Sequence, residues 1–212
     1  MHTWKTGTDA SPGPWLQEVV ELLAAGGVVA LPTDTFYGLA ADSRNAAGIT
    51  RVLQLKGRSH QHPLLLLVSD CAAARQLAPA ADERLEDLAA IFWPGPLTLV
   101  LPTTGDLSSA LVGPTGGIAV RVPDATVPRQ VAHALGAPIT GTSANLTGAR
   151  PAVAAAEIQL DTGLLSGVVD GGPAPGGAAS TVVDLTGTLA RVVRGGAIPT
   201  AAIRKSLNGR LL

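Results

Sequence analysis

Apolar residues recur at helical spacing near the start of the chain: Leu16, Val19, Val20 and Leu23 share one face, predicting a helix over 15–25. Ser11-Pro12-Gly13-Pro14 introduces it and Gly26-Gly27 ends it. Residues 28–31 form a short apolar run closed by Pro32, the pattern of a buried strand. Asn45 can cap a second helix carrying Ile49, Val52, Leu53 and Lys56, with Gly57 as its stop. A buried strand is expected over 64–68, and helices start at Asp70 and Asp82; the second carries Leu85, Leu88, Ala89 and Phe92 and ends at Trp93-Pro94. Further on, the pattern predicts strands over 97–101, 117–122, 138–140, 168–169, 181–185 and 191–193. Helices are expected over 126–135, 152–160 and 200–207. Helices and strands interleave without a repeat, which predicts an α/β fold with a mixed sheet and flanking helices. The Gly/Pro-rich stretch 171–179 is too short for a linker, so residues 1–212 are expected to form one domain, its core over about 14–198 with a final helix over about 200–208.

Composition narrows this further. Of 212 residues, 46% are apolar and 15% charged, against about 25% charged in typical soluble proteins, which argues against disorder. Apolar runs such as 64–68 fall far short of the roughly 20 residues that span a bilayer. The N-terminal residues lead into no secretory hydrophobic region, so a cytoplasmic protein without a membrane partner is expected. A net charge of −1 does not indicate a basic nucleic-acid surface. The single cysteine, Cys71, excludes an intrachain disulfide, and the four histidines lack metal-ligand spacing. Only Lys5, Lys56 and Lys205 of the fifteen basic residues are lysine, which draws attention to the one in mid-chain.

Three segments could carry chemistry. In Pro32-Thr33-Asp34-Thr35-Phe36-Tyr37-Gly38, a buried strand ends in three hydroxyls and a carboxylate; these could orient a small polar ligand, or the threonines could satisfy their own turn. Lys56-Gly57-Arg58 pairs a point charge with a planar fork, which suits phosphate oxygens; it also suits a helix C-terminus. In Ser143-Ala144-Asn145, two side chains that face one way in extended geometry offer a hydroxyl and an amide, for a ligand or for a local turn. Arg121, in an apolar strand, needs a buried carboxylate or an anionic ligand. Arg194 stands beside Gly195-Gly196, which allows close approach of a ligand. No G-x-S-x-G elbow or Walker A loop occurs.

Taken in order, the segments 32–39, Lys56-Gly57-Arg58, Trp93-Pro94-Gly95-Pro96, Val120-Arg121-Val122-Pro123, Ser143-Ala144-Asn145, the run 180–184 and Arg194-Gly195-Gly196 closely resemble the YrdC-like L-threonylcarbamoyladenylate synthases, over residues 26–198. The resemblance implies a single twisted α/β domain with an open concave cavity. It also implies a nucleotidyltransferase reaction: L-threonine, bicarbonate and ATP give threonylcarbamoyl-AMP and pyrophosphate. A separate transferase complex would then modify tRNA, so tRNA is an indirect partner. By resemblance, Lys56, Arg58, Ser143 and Asn145 form a catalytic phosphate-binding tetrad, with His62 and Arg194 also on the ATP side. Thr35, Tyr37, Arg121, Gly141 and Ser180 hold L-threonine, Arg121 pairing with its carboxylate, and Mg2+ accompanies ATP.

The chain departs from the family pattern at Asp34 for a glutamate, Ser59 for a proline, Leu67 for a histidine of longer members and Gly117 for a hydroxyl residue. Longer members also carry an extra C-terminal domain. Two other readings compete: a non-catalytic RNA-binding or ribosome-associated module, against which net charge −1 and 3% aromatics count, and a YciO-like relative acting on another small ligand.

Overall fold

The described residues, 2–6, 11–57, 63–103, 107–207 and 210–212 of this computed structural model, form eleven strands and six helices. The order runs β1 (His2–Lys5), α1 (Pro14–Ala24), β2 (Val29–Leu31), β3 (Gly38–Ala40), α2 (Ala46–Lys56), β4 (Leu66–Leu67), α3 (Cys71–Leu77), α4 (Arg84–Phe92), β5 (Leu97–Pro102), β6 (Gly117–Arg121). It continues with α5 (Thr126–Leu135), β7 (Ile139–Thr140), β8 (Thr142–Ser143), β9 (Gly167–Asp170), β10 (Thr181–Asp184), β11 (Arg191–Arg194) and α6 (Thr200–Ser206). Two mixed sheets result, ordered β1-β9-β2-β3-β8 and β11-β10-β5-β6-β4-β7.

Local signals account for most helix boundaries. Asn45 Oδ1 accepts from the Ala47 and Gly48 amides, and Gly57 closes α2 in the left-handed conformation (φ 59°). Asp70 caps α3 by accepting from Ala73 N. Period-two alternation then assigns the faces. In β2, Ala30 packs into one core cluster while Val29 and Leu31 pack into another, so the strand is buried on both sides. In β5 and β6, Leu97, Leu99, Leu101, Ile118 and Val120 enter a third cluster. The alternate residues Thr98, Val100, Gly117, Ala119 and Arg121 face a cavity instead.

The helix expected over 152–160 is reduced to one 3-10 turn at Ala155–Glu157. The carbonyls that would begin a helix are used elsewhere: Ala152 O accepts from Tyr37 N and Val153 O from Ala174 N, while Glu157 reaches back to Val153 N. These tertiary bonds override local propensity. The strand expected over 64–68 pairs only at Leu66–Leu67. β1, β3 and β8 lack a sequence pattern of their own; β1 buries a single residue, Trp4, and exists by pairing with β9. The sheets meet where Thr140 Oγ1 donates to Leu39 O and accepts from Ala41 N.

Candidate functional site

A cavity of about 710 Å³ opens on the face of the six-stranded sheet that turns away from its core cluster. Its floor comes from β5, β6, β10 and β11. Its opposite wall comes from Thr33, Thr35 and Phe36 after β2 and from residues 141–143.

A bulge decides how Arg194 reaches it. Asp184 pairs with Arg191 and Val183 with Val192, but Val182 pairs with Arg194, so Val193 is the extra residue. The slip gives Arg194 the cavity-facing parity of Val182. Its Nη2 donates to Ser180 O (2.8 Å) and Oγ (3.1 Å), and Ser180 Oγ lies 2.9 Å from Thr98 Oγ1. Burial, and then the positive charge of Arg121, hold the Arg194 guanidinium below its ordinary pKa. Two cations on one cavity face favour an anion bound beside them.

Arg121 Nε donates to Gly95 O at 2.9 Å, and Nη2 lies 2.5 Å from Asp34 Oδ2. The buried carboxylate that the sequence left as one of two options is therefore present. The contact is close but poorly aligned: neither Asp34 oxygen nor Arg121 Nη2 makes a directed hydrogen bond.

Lys56, the last residue of α2, is buried, and its Nζ reaches Ser143 O (2.5 Å), Asn145 O (2.6 Å), Ser143 Oγ and Asn145 Oδ1 (both 3.2 Å). Thr147 returns two bonds to Lys56 O. Lys56, Ser143 and Asn145 thus meet, with Ser143 on the cavity wall. Asn145 Nδ2 donates locally to Leu146 O and Ala149 O, so the turn reading also describes part of this segment. Arg58 and His62, like Ser59, lie outside the described residues.

Thr35 and Gly141 line the cavity. Thr33 Oγ1 accepts from the amides of Thr35 and Phe36, the self-satisfying turn weighed against a ligand role. Tyr37, expected in the same pocket, is directed elsewhere: fully buried, it donates to Gly172 O at 2.7 Å and is not among the lining residues. Burial and the charge of Asp170 push its phenol up to about 12. Leu67 packs against Gly141, where a Cβ would come within 2.5 Å of Leu67 Cγ. Gly117 has no room for a side chain, since a Cβ would meet Thr186 and Val100.

The sequence reading missed Thr98, Asp184 and Arg191 as lining residues. Parity with Arg121 and Ser180 along paired strands was the signal available for them. Asp184 accepts from Thr186 N and Oγ1 and faces Arg191 at 3.5 Å.

The family model Sua5/YciO/YrdC, described as telomere recombination, matches residues 21–196. The chain belongs to the Sua5/YciO/YrdC family. Within the family it is 40% identical over 162 residues to a threonylcarbamoyl-AMP synthase of Photobacterium profundum, covering 74% of this chain and 86% of that protein. It is 36% identical over 172 residues to the Bacillus subtilis protein of the same name, covering 80% of this chain but 50% of that one. Among solved Sua5/YciO/YrdC structures, P. abyssi Sua5 complexed with L-threonine superposes with a TM-score of 0.88 at 30% identity, over 98% of this chain and 61% of that one. The family's mixed α/β fold is therefore the fold of this chain. Among the described residues, no helix is long and apolar enough to cross a membrane.

Proposed function

We propose that this protein is an L-threonylcarbamoyladenylate synthase, a nucleotidyltransferase that condenses L-threonine, bicarbonate and ATP into threonylcarbamoyl-AMP with release of pyrophosphate. The observation that carries the reading is the cavity face on which Arg121 and Arg194 stand together, in a chain 40% identical to a protein of that name. Threonine's amine adds to bicarbonate carbon and water leaves, giving a carbamate. A carbamate oxygen then attacks the α-phosphorus of ATP, and pyrophosphate departs with the electrons of the broken P–O bond. No covalent enzyme intermediate is needed; positioning and charge neutralisation supply the catalysis.

In this reading, Arg121 takes the threonine carboxylate, with Thr35, Gly141 and Ser180 around it. Arg194 and the Lys56, Ser143 and Asn145 cluster face the phosphates, together with Arg58 and His62. The self-satisfied hydroxyl of Tyr37 supports a structural part for that residue. Mg2+ would neutralise phosphate charge. A separate transferase complex would consume the product and deliver it to tRNA in the cytoplasm. No observation favours the RNA-binding alternative.

The test incubates the protein with ATP, bicarbonate and labelled L-threonine. Pyrophosphate release that requires all three is expected; release no greater with L-threonine than without it would sink the reading.

A further inference from the structure

Seven ion pairs occur among the described residues, and in only one are both side chains less than a tenth exposed: Asp34 with Arg121. It also spans the two walls of the cavity. Asp34 sits in the turn between β2 and β3 of the five-stranded sheet, and Arg121 ends β6 of the six-stranded one. Both Asp34 oxygens are buried and Asp34 does not line the cavity, so it does not touch a ligand there. Its neighbours Thr33 and Thr35 do line it.

The donors of Arg121 are divided. Nε is committed to Gly95 O and Nη2 is buried against Asp34. Nη1 makes no hydrogen bond and is not among the buried polar atoms, so it is the end that the lining residue Arg121 offers to the cavity. We infer that Asp34 is a positioning residue for Arg121, holding the guanidinium from behind so that Nη1 meets the carboxylate of the amino-acid substrate. The inference rests on the L-threonine reading above.

Two physical effects compete. Removing a carboxylate would raise the positive potential felt by an incoming anion. It would also leave a buried guanidinium, already repelled by Arg194, without its counterion and free to leave its geometry. The second effect wins because a long side chain fixed at two points loses both the charge balance and one of those points.

The experiment measures pyrophosphate release by Asp34→Asn and Asp34→Glu. For Asp34→Asn, KM for L-threonine is expected to rise about tenfold or more, with kcat and KM for ATP within about threefold. Asp34→Glu, which restores the charge, should return the threonine KM to within about threefold of wild type. A merely structural role would move all three parameters together and would not be rescued selectively. An unchanged or lower threonine KM in Asp34→Asn overturns the inference. Wild-type protein without threonine-dependent turnover overturns the substrate reading instead, and is visible in the control arm.

Should Asp34→Asn fail to fold, nitrogen NMR of the Arg121 side chain in wild-type protein carries the test. Restricted rotation of Nη2 should persist when L-threonine saturates. Its release on binding would mean that the ligand displaces Asp34, and overturns the inference.

Discussion

Lys56 Nζ lies 2.6 Å from the carbonyl oxygen of Asn145, eighty-nine residues away in sequence. One ammonium thus gathers main-chain and side-chain oxygens of both Ser143 and Asn145, and makes the C-terminus of α2 the support for one cavity wall. The same charge stands behind Ser143, which faces the proposed phosphate position.

Lys56→Ala should therefore cost stability as well as activity. Leaving buried acceptors without a donor is expected to lower unfolding free energy by about 2–4 kcal/mol, read by urea denaturation. Turnover should fall about a hundredfold or more. A variant of wild-type stability would show that the oxygens find other partners.

Tyr37 is the chain's single tyrosine, so phenolate absorbance in alkaline solution reports it alone. A native pKa of about 12 against an ordinary 10.0 is expected. The protonated form is the one favoured by folding, so its contribution is fully present below pH 10 and is lost as pH rises through about 12. The loss amounts to about 2–3 kcal/mol. Tyr37→Phe should flatten stability across that window, and a native phenol titrating near 10 would refute the account.

Gly141→Ala should overfill the wall, because the new methyl meets three Leu67 carbon atoms within 2.9 Å. A cost of about 1–3 kcal/mol is expected. Adding Leu67→Ala should relieve the clash, giving a favourable coupling in a double-mutant cycle. Additive losses would mean that Leu67 already moves aside.

The sequence by itself determined what short-range chemistry determines. Asn45 and Asp70 cap their helices because a side chain and an amide two or three residues on suffice. Gly57 ends α2 because glycine tolerates a positive φ. β5 and β6 were legible as strands because each is a short apolar run bounded by proline or glycine, too short for a helix of ordinary length. The ordered motifs also pointed to the family, since residue order survives where single residues are ambiguous.

Tertiary structure decided what depends on distant partners. The helix expected over 152–160 did not form because Tyr37 and Ala174 claim its first carbonyls. The hydroxyl of Tyr37 left the cavity because Gly172, 135 residues away, accepts from it. Arg194 faces the cavity because of one bulged residue in β11, which flips parity without changing composition. The partner of Arg121 turned out to be Asp34, a pairing across two sheets that no periodicity encodes. Backbone hydrogen bonds and charges bind whichever group the fold brings within about 3 Å, and that proximity is a property of the packed chain, not of its local sequence.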